Sequence, residues 1–137
     1  MKQLKLILIG GGDRGSSYLK YLDLCPEKFK LVAIAEPVEA KREHLADKYG
    51  VPLEMRFSSY EKLLEMDKIA DIAMICTQDK MHFEPAMMAL EKIMICFWKN
   101  LLHPLPKNAV KFRKVLKITG LRFWCVMFFA TLLFINR

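Results

Sequence analysis

The stretch Leu4 to Gly15, LKLILIGGGDRG, constrains this chain more than any other. A short apolar run, Leu4 to Ile9, breaks into three consecutive glycines, and a fourth follows at Gly15. Gly10, Gly12 and Gly15 have the G-x-G-x-x-G spacing, set between a strand-like run and a helix-like one, which is the context a dinucleotide fingerprint requires. Each glycine has its own reason. Gly10 permits the tight turn out of the strand, Gly12 carries no side chain to hold a pyrophosphate away, and Gly15 lets the helix pack close to the strand. The free N–H groups at the helix start then face the phosphates. Asp13 and Arg14 lie inside this loop. Arg14 is placed to meet a phosphate or the adenine, although an arginine here is as often simply solvated, whereas Asp13 suits a turn or helix cap better than a ligand. Taken alone, the loop also fits a plain strand-to-helix turn in another kind of α/β protein.

The remaining pattern extends the same architecture. Leu4 to Ile9 is continuous rather than alternating, as expected of a central parallel strand buried on both faces; Phe29 to Ala35 (FKLVAIA) reads as the second strand and Asp71 to Cys76 (DIAMIC) as the next buried one. Helices are expected over Ser16 to about Leu24, Val38 to Tyr49 with Pro37 in the first turn and Gly50 at the end, Ser58 or Ser59 to Met66, and Phe83 to Lys92. Pro52 to Phe57 reads as a short extended piece. This alternation predicts an α/β fold, a Rossmann-like parallel sheet flanked by helices. Its ligand end is the carboxyl end of the strands.

Two further places there carry chemistry. Glu36 closes the second strand 21 residues after Gly15, where a carboxylate accepts the ribose hydroxyls of an adenosine. Its charge repels a 2′-phosphate and so favours NAD over NADP; the plainer alternative is a solvated carboxylate at a strand end. Thr77, Asp79 and His82 cluster after the third apolar run. Thr77 is placed to contact the nicotinamide half, and His82 to hydrogen-bond back and hold the loop, although a helix cap or a packing residue is the commoner role for such a histidine. His44 lies on a charged helix face and is assigned no role. No catalytic set and no metal-ligand spacing is evident. Cys25, Cys76, Cys96 and Cys125 are scattered without pairing, as expected of reduced thiols in a cytoplasmic protein.

With the Gly10 loop, Ala35-Glu36-Pro37, Ser58 to Leu64 and Thr77 to His82 in place, residues 1–92 resemble the N-terminal domain of the glucose–fructose oxidoreductase / inositol dehydrogenase family (Gfo/Idh/MocA). The threonine-to-histidine segment departs mildly from the family pattern, with Gln78 where a proline is common. The resemblance implies an NAD(P)-binding Rossmann domain from an enzyme acting on sugars or cyclitols. It also implies a fifth strand ending in Glu-Lys-Pro, whose lysine works at the reacting carbon's oxygen, and a second α/β domain.

Neither continuation is read after Lys92. Residues 93–137 hold eight Lys and Arg and no acid, whereas residues 1–92 are nearly neutral, so the formal charge of +7 belongs to the tail. One allowed back-translation of Glu91 to Leu101, with a single adenine added, reads Glu-Lys-Asp-Tyr-Asp-Met-Leu-Leu-Glu-Lys-Pro, which restores the missing motif. The expectation is therefore a domain at 1–92, a fifth strand in 93–98, and an irregular, apolar, basic tail at 99–137. That tail reads as an out-of-frame translation standing where the family has its second domain. Lys99 is then not the family lysine. Phe123 to Ile135 is shorter than the roughly 20 residues a bilayer-spanning helix needs, so no membrane span is expected.

The functional expectation is the nucleotide-binding domain of a sugar or polyol oxidoreductase, catalytically incomplete in this chain. Its partner is a dinucleotide, and self-association through the tail is open. The alternative is a non-catalytic NAD-sensing or partner-binding module. A nucleic-acid or membrane adaptor rests on tail charge alone and ranks last.

Overall fold

The computed structural model describes residues 2–78, 81–92, 95–98 and 124–125, the last two stretches by backbone only. Six strands, β1 (Leu4–Ile9), β2 (Phe29–Ala35), β3 (Arg56–Phe57), β4 (Ile72–Ile75), β5 (Ile95–Trp98) and β6 (Trp124–Cys125), form one sheet in the order β3-β2-β1-β4-β5-β6. Every pairing is parallel. The strand order reverses between β1 and β4, which makes the carboxyl ends of these two strands the switch point of the sheet.

Among the described residues four helices cover the sheet: α1 (Asp13–Leu19), α2 (Glu39–Lys48), α3 (Tyr60–Glu65) and α4 (Phe83–Glu91). Alternation along β1 divides the core in two. Leu6 and Leu8 pack with Leu19 of α1 and Leu45 and Ala46 of α2. Ile7 and Ile9 pack with Leu63 and Leu64 of α3 and with Ala86, Met87 and Leu90 of α4. These four β1 side chains are at most 1% exposed, and burial of each is worth about 1.5–3 kcal/mol. The central strand is thus the spine of both layers, which is why Leu6 to Ile9 are apolar without a break.

The α/β expectation holds, with local differences. α1 begins at Asp13 rather than Ser16, because the Gly12 carbonyl already accepts the Ser16 N–H at 2.9 Å. It ends at Leu19, and a tighter 3-10 turn over Leu22–Leu24 replaces its last stretch. The bonds Tyr21 N–H to Tyr18 O and Leu24 N–H to Tyr21 O change the repeat and bury Leu22. Pro37 precedes α2 instead of sitting in its first turn. The Glu36 carboxylate accepts the Val38 N–H at 2.9 Å, which holds residues 36–38 in a turn and delays the helix to Glu39. Ser59 is the residue before α3, and its side chain makes no cap bond to the helix backbone. Its hydroxyl instead helps the Glu61 backbone N–H hold the Glu61 carboxyl below its usual range.

Arg56 fastens β3 to α2. Its Nε and Nη2 donate to the Val51 carbonyl at 3.0 and 2.8 Å, and its Nη1 pairs with Glu43 and Asp47. Among the described residues, Cys25 and Cys76 are buried cysteines outside any disulfide. No helix there is long and apolar enough to cross a membrane, and no acid, histidine and cysteine group has the makings of a metal site. The expectations for Asp79, Lys99 and, apart from Trp124 and Cys125, Phe123 to Ile135 lie outside the described residues.

Candidate functional site

Three strand ends meet at Gly10. Its N–H donates to the Ala35 carbonyl of β2 at 2.9 Å, while the Cys76 N–H, just past β4, donates to the Ile9 carbonyl at 2.7 Å. Gly10 has φ of 94°, a region that favours glycine. A Cβ there would lie 2.7 to 2.9 Å from the Cys76 carbonyl group and the Thr77 nitrogen. A Cβ on Gly15 would collide with the Gly10 carbonyl oxygen. These two glycines are required by the chain's own packing.

Gly12 differs. Its backbone is extended, and a Cβ on it would meet no atom within 4 Å. Nothing in the chain demands a glycine there, and the open side of the loop lies at the start of α1, where the first-turn N–H groups have no intrahelical partners. Asp13 and Arg14 are exposed on this turn. Asp13 is the first helical residue rather than the cap, which is Gly12, and its carbonyl accepts the Ser17 hydroxyl at 2.7 Å.

Glu36 lies just past β2 and is only 7% exposed. Its Oε2 accepts the Gly11 N–H at 2.6 Å and its Oε1 accepts the Val38 N–H at 2.9 Å. A buried carboxylate is costly unless hydrogen-bonded, and here each oxygen has a backbone donor and retains further acceptor capacity. The plainer alternative, a solvated strand-end carboxylate, is at odds with this burial.

Two residues here were not among the sequence candidates. Gly11 donates to Glu36, and a Cβ on it would press on Leu45 at 3.0 Å and on Glu36 Cγ at 3.3 Å; the signal was the unbroken glycine triplet. Arg42 donates from Nη1 to the Glu36 carbonyl at 2.9 Å and pairs with Glu43. Only its position six residues after Glu36 could have suggested that.

Across the switch point, the Thr77 Oγ1 and His82 Nδ1 lie 2.7 Å apart. Thr77 is partly exposed, whereas His82, at the residue before α4, is 1% exposed. The ring makes no side-chain cap bond to the helix, and its contact with Thr77 spans the two ends of the loop. The structure therefore brings together Gly10, Gly12, Asp13, Arg14, Gly15, Glu36, Thr77 and His82 around the carboxyl ends of β1, β2 and β4. His44 is exposed and apart from them on α2.

The family model for an oxidoreductase family with an NAD-binding Rossmann fold, Gfo/Idh/MocA, matches residues 4–98. The chain belongs to the Gfo/Idh/MocA family. Solved structures with the same fold include a WlbA dehydrogenase from Chromobacterium violaceum in complex with NADH and UDP-GlcNAcA, at 14% identity and a TM-score of 0.78. A myo-inositol 2-dehydrogenase from Lactobacillus plantarum is similar at 22% identity and 0.77, and a scyllo-inositol dehydrogenase from Lactobacillus casei at 18% and 0.78. These matches cover 92, 90 and 91% of this chain but only 35, 36 and 37% of the three proteins. This Gfo/Idh/MocA chain therefore spans about a third of the length of those enzymes. A search of curated proteins finds no match.

Proposed function

We propose that the described domain binds NAD in preference to NADP, and that its family chemistry is the oxidation or reduction of a sugar or polyol. The observation that carries the cofactor reading is the buried Glu36 carboxylate joined to the Gly11 N–H, beside a Gly12 that the chain itself does not require. Ribose hydroxyls would donate to the remaining lone pairs of Glu36, whereas a 2′-phosphate would meet its negative charge. The pyrophosphate would lie over Gly12 at the start of α1, flanked by Asp13 and Arg14. Thr77, held by His82, stands on the β4 side of the switch point, where the nicotinamide half would reach.

When bound, NAD supplies the hydride acceptor, and the chain's part is to hold and orient it. The family's Glu-Lys-Pro motif is not read in residues 93–137, and this polypeptide as it stands is proposed to bind cofactor with little turnover. Tryptophan and nicotinamide fluorescence titrations test the first part. Saturable NAD binding, weaker by about tenfold or more in Glu36→Ala, is expected from loss of charge-assisted hydrogen bonds. Equal affinity for NAD and NADP, or NAD binding untouched in a folded Glu36→Ala variant, would overturn it. Steady NADH production with NAD and a panel of polyols would overturn the second.

A further inference from the structure

Glu36 is held by its main chain as well as by its carboxylate. Its N–H donates to the Phe57 carbonyl of β3 at 3.0 Å, and its own carbonyl accepts the Arg42 Nη1 at 2.9 Å. Both carboxylate oxygens are turned to backbone, at Gly11 and Val38, so the Arg42 guanidinium bonds to the main chain of Glu36 rather than to its side chain. Arg42 lies one turn into α2, and its side chain is only 14% exposed.

The charge on that guanidinium is answered by Glu43. Glu43 Oε1 lies 3.2 Å from Arg42 Nε, and its Oε2 lies 2.5 Å from Arg56 Nη1. The two arginines are not equivalent. Arg56 has a second carboxylate, Asp47 at 2.8 Å, and two bonds to the Val51 carbonyl. Among the described residues, Glu43 is the one carboxylate paired with Arg42. With Nε on Glu43 and Nη1 on the Glu36 carbonyl, Arg42 Nη2 keeps its donors without a partner among the described residues. A guanidinium fork suits phosphate oxygens, and its field carries roughly 8–10 Å at ordinary salt. Glu43 opposes both properties, because it cancels the charge and holds one edge of the fork along α2.

We propose, on the reading that Glu36 meets the adenosine ribose, that Glu43 is a second determinant of cofactor choice. It is a positioning residue that acts through Arg42 and touches no cofactor. A 2′-phosphate arriving at Glu36 meets that carboxylate's charge, while the cation nearest to the Glu36 main chain is already neutralised. Removing the Glu43 charge leaves Arg42 uncompensated, whereas Arg56 retains Asp47. NADP gains from this change and NAD, which has no 2′-phosphate, does not.

The test titrates the full chain with NADH and NADPH, read by nicotinamide fluorescence at low salt. Glu43→Gln keeps an acceptor for both guanidiniums and changes only the charge, so it should melt close to the parent. Its NADPH affinity should rise about threefold or more, with NADH affinity unchanged, and the gain should shrink at about 0.5 M salt. In an Arg42→Gln background the same Glu43→Gln change should give no gain, because the interaction runs through that pair. Asp47→Asn, which removes a carboxylate of α2 paired with Arg56 alone, should choose as the parent does. Unchanged NADPH affinity in Glu43→Gln, an equal gain for NADH, or an equal gain in the Arg42→Gln background or in Asp47→Asn would overturn the role of Glu43 alone. A parent without preference for NADH, or one whose NADH binding survives Glu36→Ala, would overturn the cofactor reading and the role of Glu43 with it.

Discussion

The turn after β1 and the turn after β4 face each other across the switch point, and they are built on opposite principles. The first works by absence: Gly10 and Gly15 are needed because any side chain would enter the backbone of Cys76 or Gly10. The second works by presence: Thr77 and His82 are joined by a 2.7 Å hydrogen bond across five residues. A turn made by absence fails as a whole when an atom is added, while a turn made by one bond should loosen in place when that bond is cut. The largest expected effect follows. Gly10→Ala combines a positive φ with close contacts to backbone that no side-chain movement relieves, so it should lose about 3 kcal/mol or more. Denaturant unfolding measures this, and a loss under 1 kcal/mol would show that β4 can retreat from the loop.

Gly12 divides the first turn against itself. Because a Cβ there meets nothing, Gly12→Val should fold with nearly parental stability and yet lose NAD affinity by about tenfold or more, since the added methyls occupy the space over the loop. Gly10→Ala and Gly12→Val thus separate the glycine that the fold needs from the one that a ligand needs. Paired melting and fluorescence titrations read the two effects. Equal melting losses in both variants would erase the distinction.

The same contrast explains what was legible in the sequence. Spacing reveals a turn made by absence, because glycines are rare enough to be counted, and β1 and β2 have the bounds expected from their predominantly apolar runs. Glu36 was visible as a strand-end carboxylate, but its bonds to the Gly11 and Val38 N–H groups were not. The first depends on how two loops distant in sequence approach, and the second, a local bond, displaced the start of α2 past Pro37. The shortened α1, the extra residue at Val32 in the β1–β2 register and the Arg56 fastening are likewise tertiary outcomes: none leaves a periodic or spaced signal, and each answers to a neighbour brought in by the fold.

The second turn should respond more mildly. Thr77→Val keeps the side-chain volume and removes the hydroxyl, leaving His82 Nδ1 without this partner in a buried place, at an expected cost of about 1–3 kcal/mol. If Thr77 also faces the nicotinamide half, binding of NAD should weaken several-fold while binding of adenosine diphosphate, which lacks that half, stays unchanged. Equal weakening for the two ligands would assign Thr77 to loop support alone.

The smallest expected effect lies on the α3–α4 side of the sheet and sharpens the comparison by touching neither turn. The Tyr60 hydroxyl donates to Glu84 Oε2 at 3.1 Å, joining the start of α3 to the first turn of α4. Burial first, and then the bond to Glu84, push the Tyr60 phenol up to about 12. Its neutral form is therefore favoured in the folded state, which binds more protons than the unfolded chain between pH ~10 and pH ~12. Stability from this group is complete below pH ~10 and falls as pH rises through that window. In Tyr60→Phe the alkaline decline should be shallower, and the Gly10 and Thr77 turns should keep their parental ligand response at neutral pH. An unchanged alkaline decline would mean that Tyr60 is not what couples these two helices to pH.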